Sequence, residues 1–466
     1  MPALRTLVPC LAAAVLAACT LMPDYRRPEA PVPATLPGTA PAAAPAPDLA
    51  AVPWRNYFGD ERLRALIDLA LANNRDLRIA SLNIDRSRAQ YQIQSANLYP
   101  MVGATASAAA QRLPGDFTAS GQPTVAHEYR ATVGFTAWEL DFFGRVRSLN
   151  EQALEQYFAT EEARNAAQIA LVAEVARAWL ALAADRERHA LARSTWDARQ
   201  RSYDVIRGSF EAGGSSALDV AEARTLLEGA RAETARLAAV VGQDENALAL
   251  VVGAPVPAAL QPQGLVEAAA RLVDVPAGLP SDVLLLRPDI QRAERELKAA
   301  NASIGAARAA FFPRVTLTGA AGTASLSLGD QFAGGSALWS LAPQITVPIF
   351  TAGALAANLE ATELQRDILV AQYQKSIQSA FRDVADVLAE RATLAEQLDA
   401  NRQLVEASAR TLALSEARFR GGLDSFLGLL VAQRTLFVAE QALIAVRYTE
   451  AANRVALYRA LGGGWQ

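Results

Sequence analysis

Few side chains in this sequence are of a type, and in an arrangement, that could do chemistry. The two histidines stand far apart, His127 on an expected external loop and His189 in mid-helix. Both cysteines, Cys10 and Cys19, lie within the first 19 residues. The chain beyond them can assemble neither a nucleophilic dyad with a thiol nor a thiolate metal site. Carboxylates are numerous but spread, whereas general acid–base work needs a converging pair in a pocket. The sequence therefore does not read as an enzyme, and no catalytic residue, metal ligand or cofactor is expected.

One cysteine does sit where a modification is prescribed. Arg5 precedes an apolar run, Leu7 to Ala18, too short for a permanent membrane span and suited to a cleaved export signal. The run ends Leu16-Ala17-Ala18-Cys19, which resembles the lipobox of bacterial lipoproteins. Cleavage would remove residues 1–18 and leave Cys19 carrying S-diacylglycerol and an N-linked palmitoyl chain. Thr20 comes next, where an aspartate would hold a lipoprotein at the inner membrane. Acyl chains anchor a protein without taking it across a bilayer. No later stretch is an uninterrupted apolar run of about 18 residues, so a crossing must be made by strands.

Composition narrows the elements available to position anything. The chain is 52% hydrophobic but only 7% aromatic, with alanine supplying much of the apolar count. Alanine favours helix and buries little area, so long, closely packed helices fit better than a thick globular core. A net charge of −4 argues against a nucleic-acid footprint, which needs a basic stripe. Residues 19–59 form a Pro/Ala-rich acylated tail and linker, read as extended and without a core of its own.

The remainder says one thing twice, about 210 residues apart. Asp76-Leu77, a helical stretch and Leu98-Tyr99-Pro100 recur as Asp289-Ile290, a helical stretch and Phe311-Phe312-Pro313. Phe210-Glu211-Ala212-Gly213 recurs as Phe419-Arg420-Gly421-Gly422. The first repeat is placed at 60–253, a proline-rich linker at 254–287, the second repeat at 288–461 and a tail at 462–466.

Each repeat holds a strand pair and then a helix pair. Strict alternation puts Val102, Ala104, Ala106 and Ala108 on one face, and Tyr129, Ala131, Val133 and Phe135 on one face of the next run. The second repeat alternates in the same way through Val315 and Leu317, then Leu341, Ile345, Val347 and Ile349. Hairpins are expected over about 98–142 and 311–350. Runs of this length with one apolar face suit tilted membrane strands. Helical hairpins are expected over about 145–253 and 354–461. Their first arms carry no proline, and at about 1.5 Å per residue each would reach roughly 100 Å. The returning arms repeat apolar residues in steps of four and three, through Ala223, Leu227, Ala230 and Leu237 and through Ala432, Leu436, Ala439 and Leu443. Such a seam is what a coiled coil requires.

Strands cross a bilayer only as a closed barrel, and about eight is the practical minimum. Four strands per chain therefore require several chains to pool them. The helical hairpins would continue that barrel as a tube, making a transenvelope conduit.

Several runs carry a resemblance to a known family. They are Cys19 to Glu29 (CTLMPDYRRPE), Trp138 to Arg145 (WELDFFGR), Asn301 to Pro313 (NASIGAARAAFFP), Pro348 to Gly353 (PIFTAG) and Ala460 to Trp465 (ALGGGW). On these the chain resembles the outer membrane factor family of TolC-like efflux channels, in its lipoprotein, OprM-like branch. The resemblance implies an α+β membrane fold: a homotrimer sharing a twelve-stranded outer-membrane β-barrel, a long periplasmic α-helical barrel of coiled-coil hairpins, and an equatorial region built from the linker and chain ends. It further implies a location in the outer membrane of a Gram-negative bacterium. The partners would be a periplasmic adaptor and an inner-membrane pump of the resistance-nodulation-division (RND) class, with drugs and other amphiphiles in transit. An outer-membrane channel for an ABC-type (type I) secretion system is the alternative.

Relatives of this kind narrow at the periplasmic tip, often with aspartates from the second hairpin. The matching positions here are Gly428 and Val431, a departure from that pattern, while Asp219 and Glu222 remain acidic in the first hairpin. The expected gate is an apolar Leu430/Val431 element with negative charge from Asp219 and Glu222, to which Asp424 contributes. The turns Gly213-Gly214-Ser215-Ser216 and Gly421-Gly422 are expected to receive the adaptor, since glycine permits tight reversal and close approach.

Overall fold

A computed structural model of the chain describes residues 20–37, 53–119, 121–265 and 280–464. The expected signal segment 1–18 and Cys19 lie outside the described residues. The chain divides into two compact units.

The first unit comprises the chain up to Glu29, Asn83–Glu161 and Arg292–Gln374. At its centre is a four-stranded antiparallel sheet in chain order, β1 (Val102–Leu113), β2 (Thr124–Leu140), β3 (Arg314–Ser325) and β4 (Ala337–Thr346). The two hairpins join through β2 and β3, with Val133 opposite Ala321 and Phe135 opposite Gly319. Directly opposed residues share a face, so the registers assemble the alternating sets into one apolar surface. Val102 faces Phe135 and Ala104 faces Val133, while Leu341 faces Gly319 and Ile345 faces Val315. Thr105, Thr132, Thr316, Thr318 and Gln344 fall on the other face.

One irregularity keeps that surface continuous. Between Phe135 and Trp138 the register shifts, so that Thr136 and Ala137 oppose Thr318 alone, as in a β-bulge. Ala137 takes φ 50°, and its N–H donates to the Thr318 hydroxyl at 3.0 Å. Without the extra residue, Trp138 and Leu140 would turn to the polar face. With it they stay on the apolar one, opposite Leu317 and Val315, and Glu139 takes the polar side. There Glu139 accepts from Arg145 at 2.7 Å and pairs with Arg314 at 2.7 Å.

β1 and β4 pair on one side only, and almost every residue of both is exposed. Trp339 is 80% and Ile345 67% exposed on the apolar face. Open edges and a bare apolar face are liabilities that a finished protein covers.

The second unit comprises Ala30–Leu82, Glu162–Gln291 and Lys375–Gln466. It contains a short turn of helix α1 (Trp54–Tyr57), α2 (Glu61–Asn73) and α5 (Ala217–Val252), with α8 (Phe426–Ala460). The helix α3 (Arg75–Ala96) begins in it. The later parts of α4 (Arg145–Glu211) and α7 (Ala354–Arg420), each an uninterrupted 67 residues, also lie in it. α6 (Pro288–Ala309) leads to β3.

Asp60 caps α2 by accepting from the N–H groups of Arg62 and Leu63. The helix breaks at Asn74, whose amide nitrogen donates to the carbonyl of Val251 at 2.7 Å. α5 ends beside it at Gly253, φ 75°, where an added Cβ would stand 2.5 Å from the carbonyl oxygen of Asn73. The seam of α5 is buried at Ala223, Leu227, Ala230, Leu237 and Leu248, and that of α8 at Ala432, Ala439, Leu443 and Leu457.

A buried polar residue of α8, Asn453, finds its partners on α7. Asn453 donates to the carbonyl of Val387 and to Glu390 at 2.8 Å. α4 and α8 each contain an 18-residue window apolar enough to cross a membrane. In α4 most of that window is buried, and Trp179, fully buried, donates to the carbonyl of Leu260 at 2.9 Å. The apolar run there belongs to helix packing.

The chain ends and the linker close this unit. Tyr57, Phe58 and Tyr458 pack ring against ring, Phe58 edge-to-face with both tyrosines, with centroids 4.8–5.4 Å apart. Pro53 bridges Gly464, and Thr35 bridges Pro280. Arg287, 9% exposed, donates to the carbonyl of Ala460 at 2.5 Å.

Candidate functional site

The candidate site is the pair of turns that reverse the helical hairpins, α4 to α5 and α7 to α8. Both are built on the same backbone plan. In the first, Gly213 takes φ 84°, and the N–H groups of Gly213 and Gly214 return to the carbonyls of Phe210 and Ser209. In the second, Gly422 takes φ 71°, and Gly422 and Leu423 return to Phe419 and Arg418. Each glycine adopts a left-handed conformation that side chains disfavour.

The side chains differ position for position. The hydroxyl of Ser215 donates to that of Ser209 at 2.8 Å. One repeat on, the equivalent pair is Asp424 and Arg418, joined by two hydrogen bonds of 2.5 and 3.0 Å. Arg418 holds the Asp424 carboxyl below the usual carboxylate range.

At the start of α5, Ser216 and Asp219 form a reciprocal capping box. The Ser216 N–H and hydroxyl both donate to Asp219 Oδ2, at 2.9 and 2.7 Å, and the Asp219 N–H donates back at 3.1 Å. These bonds, the backbone one first, hold the Asp219 carboxyl below its ordinary range. At the start of α8 the equivalent acid is Gly428, and the Ser425 side chain makes no capping bond.

Below the turns the two hairpins share a core of Ile206, Ala223, Phe426, Leu429 and Leu430, with Tyr203, Val220, Leu226, Leu412 and Phe419 packed against it. Here the expected gate residues part company. Leu430 is 8% exposed and belongs to that core, so it supports the tip rather than presenting a free apolar surface, whereas Val431 beside it is 50% exposed. Asp219 is at the surface but engaged in its cap, and Asp424 is engaged by Arg418. Glu222 is half-buried. Leu218, Leu423 and Leu427 are 66%, 70% and 56% exposed at the turns themselves.

A cleft of about 450 Å³ runs beside this core between α4, α7 and α8, with Arg199, Ser202, Phe419, Gln433 and Phe437 in its wall. Arg199 is 8% exposed. It donates to the carbonyl of Leu226 at 3.1 Å and lies over the Phe437 ring. Its Nε has no partner among the described residues, and burial lowers its pKa from the ordinary arginine value. Nothing in the periodicity marks Arg199, since one arginine among many on a helix gives no sign of burial. The Ser209/Ser215 and Arg418/Asp424 correspondence was within reach, because aligning the repeats reveals it.

A sheet with one bare apolar face and two open edges, carried on a chain of very long helical hairpins, defines a subunit of an outer-membrane channel. Comparison with known proteins gives the family. The chain matches the model of the outer membrane efflux protein family over residues 66–254 and 279–463, and it belongs to that family. It is 50% identical over 454 residues to the toluene efflux pump outer membrane protein TtgC of Pseudomonas putida, covering 97% of this chain and 94% of that one. The antibiotic efflux pump outer membrane protein ArpC of Pseudomonas putida is equally similar, 50% identical with the same coverage. Among solved structures, the open state of the MtrE outer membrane channel of Neisseria gonorrhoeae is similar, with TM-score 0.86 and 39% identity over 96% of this chain and 99% of that one. The fold is TolC-like, and the protein is an outer-membrane efflux channel of a Gram-negative bacterium.

Proposed function

We propose that three copies of this chain close one β-barrel, each giving its four strands, and that the resulting channel is the outer-membrane exit of a tripartite multidrug efflux system. The observation that carries this reading is the sheet: one continuous apolar face, a polar opposite face, and unpaired backbone along β1 and β4. In hydrocarbon those edges must pair, and β1 of one copy against β4 of the next satisfies both at once. The threonine-rich face then lines an aqueous lumen. The relatives' names concern toluene and antibiotics, which favours amphiphiles and drugs as the cargo here.

Cys19 is read as acylated, adding a lipid anchor to the barrel. A periplasmic adaptor would meet the turns at Gly213, Gly214, Ser215, Ser216, Gly421 and Gly422. The exposed Leu218, Leu423 and Leu427 support that assignment, because apolar side chains at a turn mark a contact surface. Behind the adaptor, an inner-membrane pump of the RND class would supply the cargo. Within the tip, Glu222, Asp219 and Val431 are the residues proposed for the resting constriction, with Asp424 fixing the second turn.

Two measurements test the reading. Cysteines at facing positions of β1 and β4 should cross-link into a covalent trimer in outer membranes. Deletion of the chain should raise intracellular accumulation of a fluorescent amphiphile and leave protein secretion unchanged. A purely monomeric cross-linking product, or unchanged accumulation with lost secretion, refutes it.

A further inference from the structure

The first described residues of the chain are tied down along their length, all within the sheet unit. Thr20–Glu29 runs against α6 in the opposite direction. Met22 lies beside Gly305, where an added Cβ would stand 2.9 Å from the Met22 Cα and 2.6 Å from the Ser148 hydroxyl. Asn301 donates its side-chain amide to the carbonyl of Pro23 at 2.7 Å. Further down, Arg27 donates from Nε and from its terminal nitrogen to Glu294 Oε1 at 3.2 and 3.1 Å, and that nitrogen reaches Oε2 at 2.9 Å. The Tyr25 hydroxyl donates to the same carboxylate at 3.3 Å. Lys298 pairs with Glu294 at 3.3 Å and lies over the Tyr25 ring.

The Glu294 side chain is 4% exposed, and a buried carboxylate is retained only with donors around it. Except for Lys298, each of these donors to Glu294 comes from the segment just beyond Cys19. Undocking that segment would strip the carboxylate of most of its partners, so the contact is a lock rather than a drape. The direction matters as much as the lock. The N-terminal end of the segment points toward the C-terminal end of α6, where Phe311-Phe312-Pro313 leads into β3 at Arg314. Gly305 is four residues from the end of α6 at Ala309, about 6 Å along the helix axis.

We propose that Thr20–Glu29 is a strap of fixed length, locked by Glu294, that directs its Thr20 end toward the start of β3, so that a lipid carried on the preceding residue and the sheet meet the membrane together. Glu294, Tyr25, Arg27, Asn301 and Gly305 are its positioning residues. The proposal rests on the reading of Cys19 as acylated. Its test separates the two by measuring acylation and assembly on the same full-length chains.

A six-residue Gly/Ser insert between Thr20 and Leu21 keeps the Cys19-Thr20 junction but lets the anchor wander by up to about 20 Å. The same insert between Glu29 and Ala30 lies on the far side of the lock. Pulse-chase conversion to detergent-resistant trimers is measured in cells, with intact-mass measurement of acylation. Glu294→Ala and Arg27→Ala are measured in parallel, the latter leaving α6 untouched. The insert after Thr20 and both substitutions should convert at least threefold more slowly than the wild type while fully acylated, and the insert after Glu29 at the wild-type rate. In isolated outer membranes, trypsin should cut at Arg26 faster in Glu294→Ala, which leaves the cleavage site itself unchanged, than in the wild type. Acylated chains that all assemble at one rate, equal slowing by the two inserts, or unchanged cleavage at Arg26 would overturn the strap. An unacylated wild-type chain would overturn the lipid reading, and the strap's task with it.

Discussion

Replacing Gly428 by aspartate should strengthen the start of α8, and the reason is written in the other repeat. Its equivalent, Asp219, closes a capping box with Ser216, whereas Ser425 caps α8 without a side-chain bond. A Cβ at Gly428 would meet nothing within 4 Å, so the substitution brings no clash. Exchanging glycine for aspartate gains only about 0.3 kcal/mol in propensity, because aspartate is itself a weak helix former. Completing the cap adds roughly 0.5 kcal/mol, the low end for such bonds because the site is wet. A negative charge at the helix N-terminus adds about 0.3–0.5 kcal/mol in the same direction. Together these amount to about 1–1.5 kcal/mol. At about 1.4 kcal/mol per tenfold, opening of the first turn should become roughly five- to tenfold rarer. Hydrogen exchange read by mass spectrometry of the peptide over 424–434 reports this directly, with the 215–225 peptide as the internal reference. Unchanged or faster exchange in Gly428→Asp would refute the claim that the two turns are one design differing by a lost cap.

Three further outcomes are expected. Burial, and then the facing carboxylate of Asp185, push the Asp244 carboxyl up from 3.8 to about 6. Its stabilising protonated form is therefore complete below the unfolded value and is lost as pH rises through about 6. A two-unit shift corresponds to about 3 kcal/mol, reduced to roughly 1–1.5 kcal/mol because the group is half-exposed. Asp244→Asn should thus raise thermal stability over the wild type at pH 8, with the advantage vanishing near pH 4, and a parallel pair of pH curves would contradict the assignment. Phe426→Ala empties the core shared by the two hairpins, where Phe426 is 3% exposed and 5.5 Å from the Phe419 ring. It should cost about 3–5 kcal/mol, seen as lowered thermal stability and as protease cutting confined to the turns. Asp219→Ala with Glu222→Ala should reduce the cation preference of single channels. Undiminished selectivity would remove both carboxylates from the proposed constriction.

The parts of the fold legible in the sequence are those governed by period and punctuation. Alternation through Val102–Ala108 and Tyr129–Phe135 marks the faces of β1 and β2, and Pro100 marks where the first strand replaces a helix. The bulge at Thr136–Ala137 is not legible, because it depends on the Thr318 hydroxyl of a strand far along the chain. The strap is hidden for a related reason. Thr20–Glu29 has no periodicity, and a Pro-rich segment is read as linker until Glu294, buried on another element, supplies its lock. At the turns, the Ser216-x-x-Asp219 spacing does spell a capping box. Reading Asp219 through resemblance turns attention to the lumen instead of to the helix start. Leu430 is assigned by position in a motif, and helix phase decides otherwise: with Phe426 one turn back it faces the core, and Val431, about 100° further round, does not.

Duplication explains why the two tips can divide their labour. The backbone of both turns is fixed by one equivalent glycine, Gly213 or Gly422, and by the same returning N–H groups, so side chains there are free to change without unfolding the reversal. In the first repeat those side chains are small and local, with a serine pair and a capping acid that serve the turn itself. In the second, the same two places hold Arg418 and Asp424, and the capping acid has become Gly428. An exposed ion pair contributes little to stability, about 0–1 kcal/mol, so Arg418–Asp424 does not make good the lost cap. Stability at the start of α8 has to come from elsewhere, and Phe426, Leu429 and Leu430 provide it by burial against Ile206 and Ala223. The second turn is thus held by the shared core alone, and the first by that core together with its cap. A partner that engages both would meet two turns of one shape, one of which resists local opening while the other can loosen only by pulling its aromatic anchor.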